Sequence, residues 1–197
     1  MVPAASLMKI ELIRQRLHAH RPEVVADNGY DRAAVAVVLR EGSTGAEFVA
    51  IRRSEREGDP WSGHMALPGG RQHPSDEDLV MTVARETDEE VGINLRADGQ
   101  LLGRLDDMPA FAGGQPVRLV ITPFVFAVSA PVEFILNHRE VERAFWVPLG
   151  FLRQQEAQGS IRFSLAGQEM EHDAYVYQGQ TIWGLTYRIL TRFLDVL

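Results

Sequence analysis

The chain has 197 residues, 45% hydrophobic and 24% charged, which is the ordinary make-up of one globular domain. A net charge of −7 argues against a general nucleic-acid binder, which would carry a basic surface, but a bound cation could still bring a phosphate ligand to an acidic site. The absence of cysteine excludes disulfides, thiol catalysis and cysteine metal sites.

The start, Met1 to Leu7, has no basic segment followed by a long apolar run, so no secretory signal is expected. No segment approaches the roughly 20 apolar residues of a membrane span. The expectation is a soluble cytoplasmic protein without a membrane partner. Leu7 to His20 reads as an amphipathic helix, with Ile10, Ile13 and Leu17 at helical spacing and Pro22 ending it. Ala33 to Leu39 is a near-continuous apolar run, consistent with a buried strand. A turn over Glu41 to Gly45 leads to a second strand, Glu47 to Ile51, antiparallel to the first because the connection is short.

A polar loop to Gly63 and a short extended piece precede a helix over Ser75 to Val91. Ser75 is its expected cap, Asp76, Glu77 and Asp78 fill its first turn, and Gly92 stops it. Leu101 to Leu105 and Val117 to Val128 read as strands around a loop, Met108 to Pro116. Pro123 calls for a bulge or an edge position. Ala144 to Val147 reads as a short strand, Pro148 to Gln155 as a helix, and Ile182 to Leu197 as a closing helix. No repeat, linker or domain boundary is visible. The order suits an α+β or layered α-β-α domain.

The most informative stretch is Arg85-Glu86-Thr87-Asp88-Glu89-Glu90. On a helix Glu86 and Glu90 are neighbours at i, i+4, with Glu89 flanking at i+3, while Val80, Ala84, Thr87 and Val91 share a packing side. Carboxylates this close repel and need a compensating partner. Arg85 is one, and a divalent cation with hard oxygen ligands, Mg²⁺ or Mn²⁺, is the other. Such an acidic run is ordinarily just a solvated face. Here Leu67-Pro68-Gly69-Gly70 and Glu77 precede it at a telling distance.

The segment from Gly70 to Ile93 resembles the Nudix box, the signature of hydrolases acting on diphosphates linked to another group. The pattern runs Gly, five residues, Glu, seven residues, Arg-Glu, an apolar residue, any residue, Glu-Glu, any residue, Gly, apolar. Glu77 falls on its first Glu. Gly70 lies one residue early, read as a loop insertion, and Thr87 stands where an aliphatic residue is usual. Upstream, Arg53-Ser54 and Gly63 to Gly70 resemble the signature of coenzyme A pyrophosphatases. The spacing is one residue longer, Gly58 stands where a second Arg is expected with Arg56 nearby, and Leu67 replaces Phe. Two later segments, Asn137 to Leu149 and Ile182 to Leu190, also resemble that subfamily.

The resemblance implies one Nudix hydrolase domain over 1–197, with an N-terminal helical extension over 1–30. Its fold would be an α/β/α sandwich with a mixed sheet. It implies hydrolysis of a phosphoanhydride in a nucleoside diphosphate linked to another moiety, with coenzyme A yielding 3′,5′-ADP and 4′-phosphopantetheine. The rivals are ADP-ribose or nucleotide sugars, a nucleoside triphosphate, and a non-catalytic nucleotide-binding domain. RNA decapping has little support, since no basic channel is visible. Glu86, Glu89, Glu90 and the Gly70 carbonyl would hold the cation. Glu86 or Glu140 would serve as base, Glu142 competes with Glu140 for the outside acid, and Arg85 would orient the acids. Glu77 would assist the others or ligate itself. Arg52 or Arg53, His64, Gly69 and Gly70 would touch substrate. Trp61 is open to two readings, stacking on an adenine or packing under its loop, and Trp183 and Ile189 read as core. A homodimer is allowed, and the N-terminal helix either serves it or covers the sheet.

Overall fold

The computed structural model describes residues 8–26, 28–58, 61–112, 115–129, 132–165 and 168–197. The first seven residues and Gly113-Gly114 of the expected loop lie outside them.

Helix α1 spans Ile10–Ala19. Strand β1 (Asp31–Gly42) turns back through Gly42 and Gly45 into β2 (Gly45–Arg53), antiparallel as expected. Two short strands, β3 (Met65–Ala66) and β4 (Gly69–Arg71), precede helix α2 (Leu79–Val91). Then come β5 (Gly99–Arg104), β6 (Met108–Ala112), β7 (Gln115–Val128) and β8 (Val141–Pro148). Leu149–Arg153 and Gln155–Ala157 form two 3-10 turns instead of the expected α-helix. The chain closes with β9 (Gln158–Leu165), β10 (Gln168–Tyr177), β11 (Gln180–Trp183) and α3 (Gly184–Val196).

Strands β1 to β8 form one sheet, in which β3, β2, β1, β7 and β5 are successive neighbours. The β1–β7 pair is parallel and the other pairs are antiparallel, so the sheet is mixed. From Ala33 to Leu39 strand β1 is apolar, because both of its faces are covered there. Ala34, Ala36 and Val38 pack with Val83, Ala84 and Val91 of α2. Val37 and Leu39 pack on the other side with Ile13 and Leu17 of α1 and Ile189, Leu190 and Phe193 of α3. This is the α/β/α sandwich. Helix α1 covers the sheet, as one of its two expected roles required. Among the described residues no helix is long and apolar enough to cross a membrane.

Four local expectations are corrected. Asp78, not Ser75, caps α2: its side chain accepts from the Met81 N–H at 2.7 Å. Met108–Ala112, expected as loop, pairs with β7. Ile182 and Trp183 belong to β11, so the last helix starts at Gly184. Pro123 sits neither at an edge nor in a bulge of its own strand. Its carbonyl accepts from the Leu105 N–H at 2.9 Å, so its missing N–H points at the gap where β5 ends and β6 begins. The three-stranded sheet β9–β11 had no counterpart among the expected elements.

Candidate active site

Strand β4 places the glycine pair against both β1 and α2. Gly69 and Gly70 pair with Val35 and Ala34. Gly69 has φ +146°, and a Cβ there would lie 2.2 Å from the Ala34 carbonyl oxygen. A Cβ on Gly70 would lie 2.4 Å from the carboxyl carbon of Glu86. One glycine therefore lets β4 seat on β1, and the next lets the backbone meet the acidic helix.

Asp78 starts α2 and Gly92, at φ +72°, ends it in the left-handed conformation that glycine favours. The packing stripe faces the sheet, and the acids follow. Glu90 is only 4% exposed, and its carboxylate accepts from the Gly69 N–H at 2.9 Å. Burial, followed by the charges of Glu86 and Glu140, pushes its carboxyl up to about 8 against this hydrogen bond and the Arg53 charge. Burial also raises Glu86; Arg85 opposes this, while Glu89 and Glu140 add to it.

Arg85 is the local organiser. Its Nη1 lies 2.9 Å from Glu86 and donates to Glu89 at 3.1 Å. Its Nε and Nη2 grip the two oxygens of Asp76 at 3.1 and 3.0 Å, a bidentate fork. Asp76 also accepts from the Thr82 hydroxyl at 3.0 Å and the His73 N–H at 2.8 Å. The Arg85 hydrogen bonds hold its carboxyl far below the usual range, against its burial. Sequence reasoning missed Asp76 in this role. Spacing selected Glu77, which is exposed. A turn whose conformation is set by His73 and Ser75 brings the preceding acid inward.

Glu140 arrives from outside the helix. The Asn137 N–H donates to the Glu90 carbonyl at 3.1 Å, and the Ser54 N–H donates to the Glu140 carbonyl at 2.8 Å. This turn is thus tied between the end of α2 and the end of β2. The Glu140 charge raises both Glu86 and Glu90. The structure therefore groups Glu86, Glu89, Glu90, Arg85, Gly69, Gly70, Arg53 and Glu140. Arg52 points elsewhere, to Glu142 at 3.3 Å and Glu55 at 3.7 Å. His64 stands among aromatic rings, 5.1 Å from Trp183. Ile189 is core and Trp183 is half-buried.

Among the described residues no three acids already converge as a ready-made metal cage. The donor chemistry nonetheless fits a hard divalent cation. It consists of carboxylates and a carbonyl, with buried charge that is only partly neutralised.

A glycine-bearing strand packed against an acidic helix on a mixed sheet, inside an α/β/α sandwich, defines a recognisable class of domain. The chain belongs to the NUDIX domain family, whose model matches residues 30–165. An uncharacterised protein of Schizosaccharomyces pombe is 36% identical over 166 residues, covering 75% of this chain and 50% of that protein. The uncharacterised Nudix hydrolase NudL of Yersinia pestis is 33% identical over 131 residues, covering 66% of this chain and 62% of that protein. The chain thus spans between half and two thirds of the length of these relatives. Two solved structures share the fold. A C. elegans Ap4A hydrolase binary complex has a TM-score of 0.50 and 23% identity, over 60% of this chain and 80% of that one. A MutT/nudix family protein from Enterococcus faecalis has a TM-score of 0.51 and 15% identity, over 95% and 71%.

Proposed function

We propose that this chain is a Mg²⁺- or Mn²⁺-dependent hydrolase that cleaves a phosphoanhydride in a nucleoside diphosphate linked to another moiety. The observation that carries this reading is the approach of Glu86 and Glu90 to the Gly69-Gly70 backbone, with the charges of Glu89 and Glu140 acting on Glu86. Glu86, Glu89, Glu90 and the Gly70 carbonyl would hold the cation. When bound, it neutralises diphosphate charge and lowers the pKa of water. Arg85 orients Glu86 and Glu89 and is itself held by Asp76. Arg53, whose charge acts on Glu90, is the phosphate-gripping cation of the pair. Glu86 or Glu140 takes the proton from the attacking water.

Coenzyme A or a derivative is the substrate we favour, on the resemblance of Arg53-Ser54 and the Gly63 to Gly70 segment to that subfamily. The products would be 3′,5′-ADP and 4′-phosphopantetheine. One observation favours ADP-ribose or a nucleotide sugar instead. Gly58 replaces the second Arg of the upstream signature, and the nearby Arg56 donates to the Arg139 carbonyl at 2.9 Å. The test is cleavage, with Mg²⁺ or Mn²⁺, of coenzyme A, acyl-coenzyme A, ADP-ribose, nucleotide sugars, dinucleotides and nucleoside triphosphates. Preferential release of 3′,5′-ADP from coenzyme A is expected. Preference for ADP-ribose or a sugar nucleotide moves the assignment to the second reading. No metal-dependent turnover of any of them overturns the enzyme reading in favour of a binding domain.

A further inference from the structure

Glu140 stands on an exposed turn, His138 to Glu140, just before β8. Such a turn ordinarily leaves its carbonyls to water, which satisfies them without ordering a side chain. Here protein donors take all three in succession. The Ser54 hydroxyl donates to the His138 carbonyl at 3.0 Å. The Arg56 guanidinium donates to the Arg139 carbonyl through Nε at 2.9 Å and Nη2 at 2.5 Å. The Ser54 N–H donates to the Glu140 carbonyl at 2.8 Å.

Asn137 holds the turn from its other side. Its Oδ1 accepts from the Arg139 N–H at 3.2 Å, and its carbonyl accepts from the Glu140 and Val141 N–H groups, both at 2.8 Å. Arg56 forms no ion pair among the described residues; its fork is spent on a neutral carbonyl. An exposed arginine gains little there for the fold as a whole, and the rotamer freedom it gives up is a cost. What the contact does fix is the backbone under Glu140, an acid whose charge acts on both Glu86 and Glu90.

We infer that Ser54 and Arg56 are positioning residues: they brace the 138–140 turn so that Glu140 stands at the cation site and not out in solvent. This rests on the proposed cation site, and its test needs no turnover. Mn²⁺ is titrated calorimetrically into the full chain, Glu140→Gln, Ser54→Ala, Arg56→Met and the double variant Glu140→Gln/Arg56→Met. Glu140→Gln should weaken Mn²⁺ binding by about tenfold, the scale of a partner acting around a metal site. Arg56→Met keeps the stem and removes the donors. Loss of a positive charge by itself would tighten cation binding, so a Kd raised by about three- to tenfold marks lost bracing. Ser54→Ala, which changes no charge, should shift Kd in the same direction. In the double variant Kd should stay within about twofold of Glu140→Gln alone, because the brace acts through that carboxylate. Unchanged or tighter binding in Arg56→Met, or an unchanged Kd in Glu140→Gln, overturns the inference. So does a loss of the same size in both backgrounds, which a merely structural role would give. The expected pattern in a chain that cleaves no diphosphate keeps the brace and sinks the hydrolase reading. Cleavage of a diphosphate with additive losses does the reverse, and absence of Mn²⁺ binding by the original chain overturns both.

Discussion

The Glu90 carboxyl is buried, accepts the Gly69 N–H, and faces the charges of Glu86 and Glu140. Its folded-state value of about 8 lies above the ordinary 4.5, so the folded chain holds this proton more tightly than the unfolded chain does. The resulting stabilisation is full below about 4.5 and disappears as pH rises through about 8. In chelator, the Tm of the wild type relative to Glu90→Gln should therefore fall across that window. Added Mg²⁺ should raise the wild-type Tm at the alkaline end, because a ligand of the folded state stabilises it. A Tm difference independent of pH would contradict this. With Mg²⁺ present, Glu90→Gln should lose at least about a hundredfold in kcat while remaining folded.

The adjacent glycines should separate folding from chemistry. A methyl on Gly70 meets the end of a flexible Glu86 side chain, which can swing aside. Gly70→Ala should keep its Tm within a few degrees and lose about a hundredfold in turnover, since Glu86 is displaced. A methyl on Gly69 meets the β1 backbone at a φ that side chains rarely adopt. Gly69→Ala should cost about 1–3 kcal/mol in denaturant unfolding from backbone strain alone. Equal stability losses for the two would remove the distinction. The importance of this pair was legible from its spacing to the helix, but their separate duties depend on which atoms each approaches. Asp76 was hidden for the same reason. A count along the chain selects Glu77, and only the turn at His73 shows which acid reaches Arg85.

Among the elements, α2 was the easiest to read because its apolar stripe, acidic side and terminal Gly92 agree. Its start was misplaced because Ser75 and Asp78 are both good caps, and only the backbone decides which one reaches a free N–H. Asp78→Ala should cost about 1 kcal/mol in thermal or urea unfolding, and Ser75→Ala much less. The reverse order would mean that the helix begins earlier. Strand β6 was hidden because Pro109 and the glycines after it in the sequence read as loop; Pro109 is tolerated where β6 pairs, among the described residues, with β7 alone. The second sheet was hidden by its polarity: Gln158 to Tyr177 has no apolar run comparable to β1.

At the scale of the molecule, one buried carboxylate ties the N-terminal segment to the sheet. Asp107 accepts from the Thr122 hydroxyl at 2.6 Å, Arg32 at 2.9 Å and the Val25 N–H at 3.0 Å, and pairs with Arg104. Burial pushes its carboxyl up, but the hydrogen bonds and the Arg104 charge outweigh burial and leave it lowered. A lowered folded value contributes stability above the ordinary carboxylate range and loses it as pH falls. Asp76 and Asp107 thus set the acid limb of the metal-free stability profile and Glu90 the alkaline limb. Asp107→Ala should cost about 3 kcal/mol, because Arg32 and Arg104 are left without their shared partner. A much smaller loss in calorimetry would mean that the segment before β1 is held by its other contacts.

Strand β4 is stitched into the sheet by more than its own pairing. The Ala36 N–H donates to the Pro68 carbonyl at 2.8 Å, and the Gln72 N–H donates to the Arg32 carbonyl at 2.9 Å. Segments that meet ligands are usually among the first parts of a protein to open, because surface loops have little to hold them, and we propose β4 as such a segment. Here it cannot open without unzipping one edge of β1, the strand on which both cores are built. Its amide protons should therefore exchange on the timescale of the whole domain. Substrate would meet a backbone already in place, so little ordering entropy would be lost there on binding.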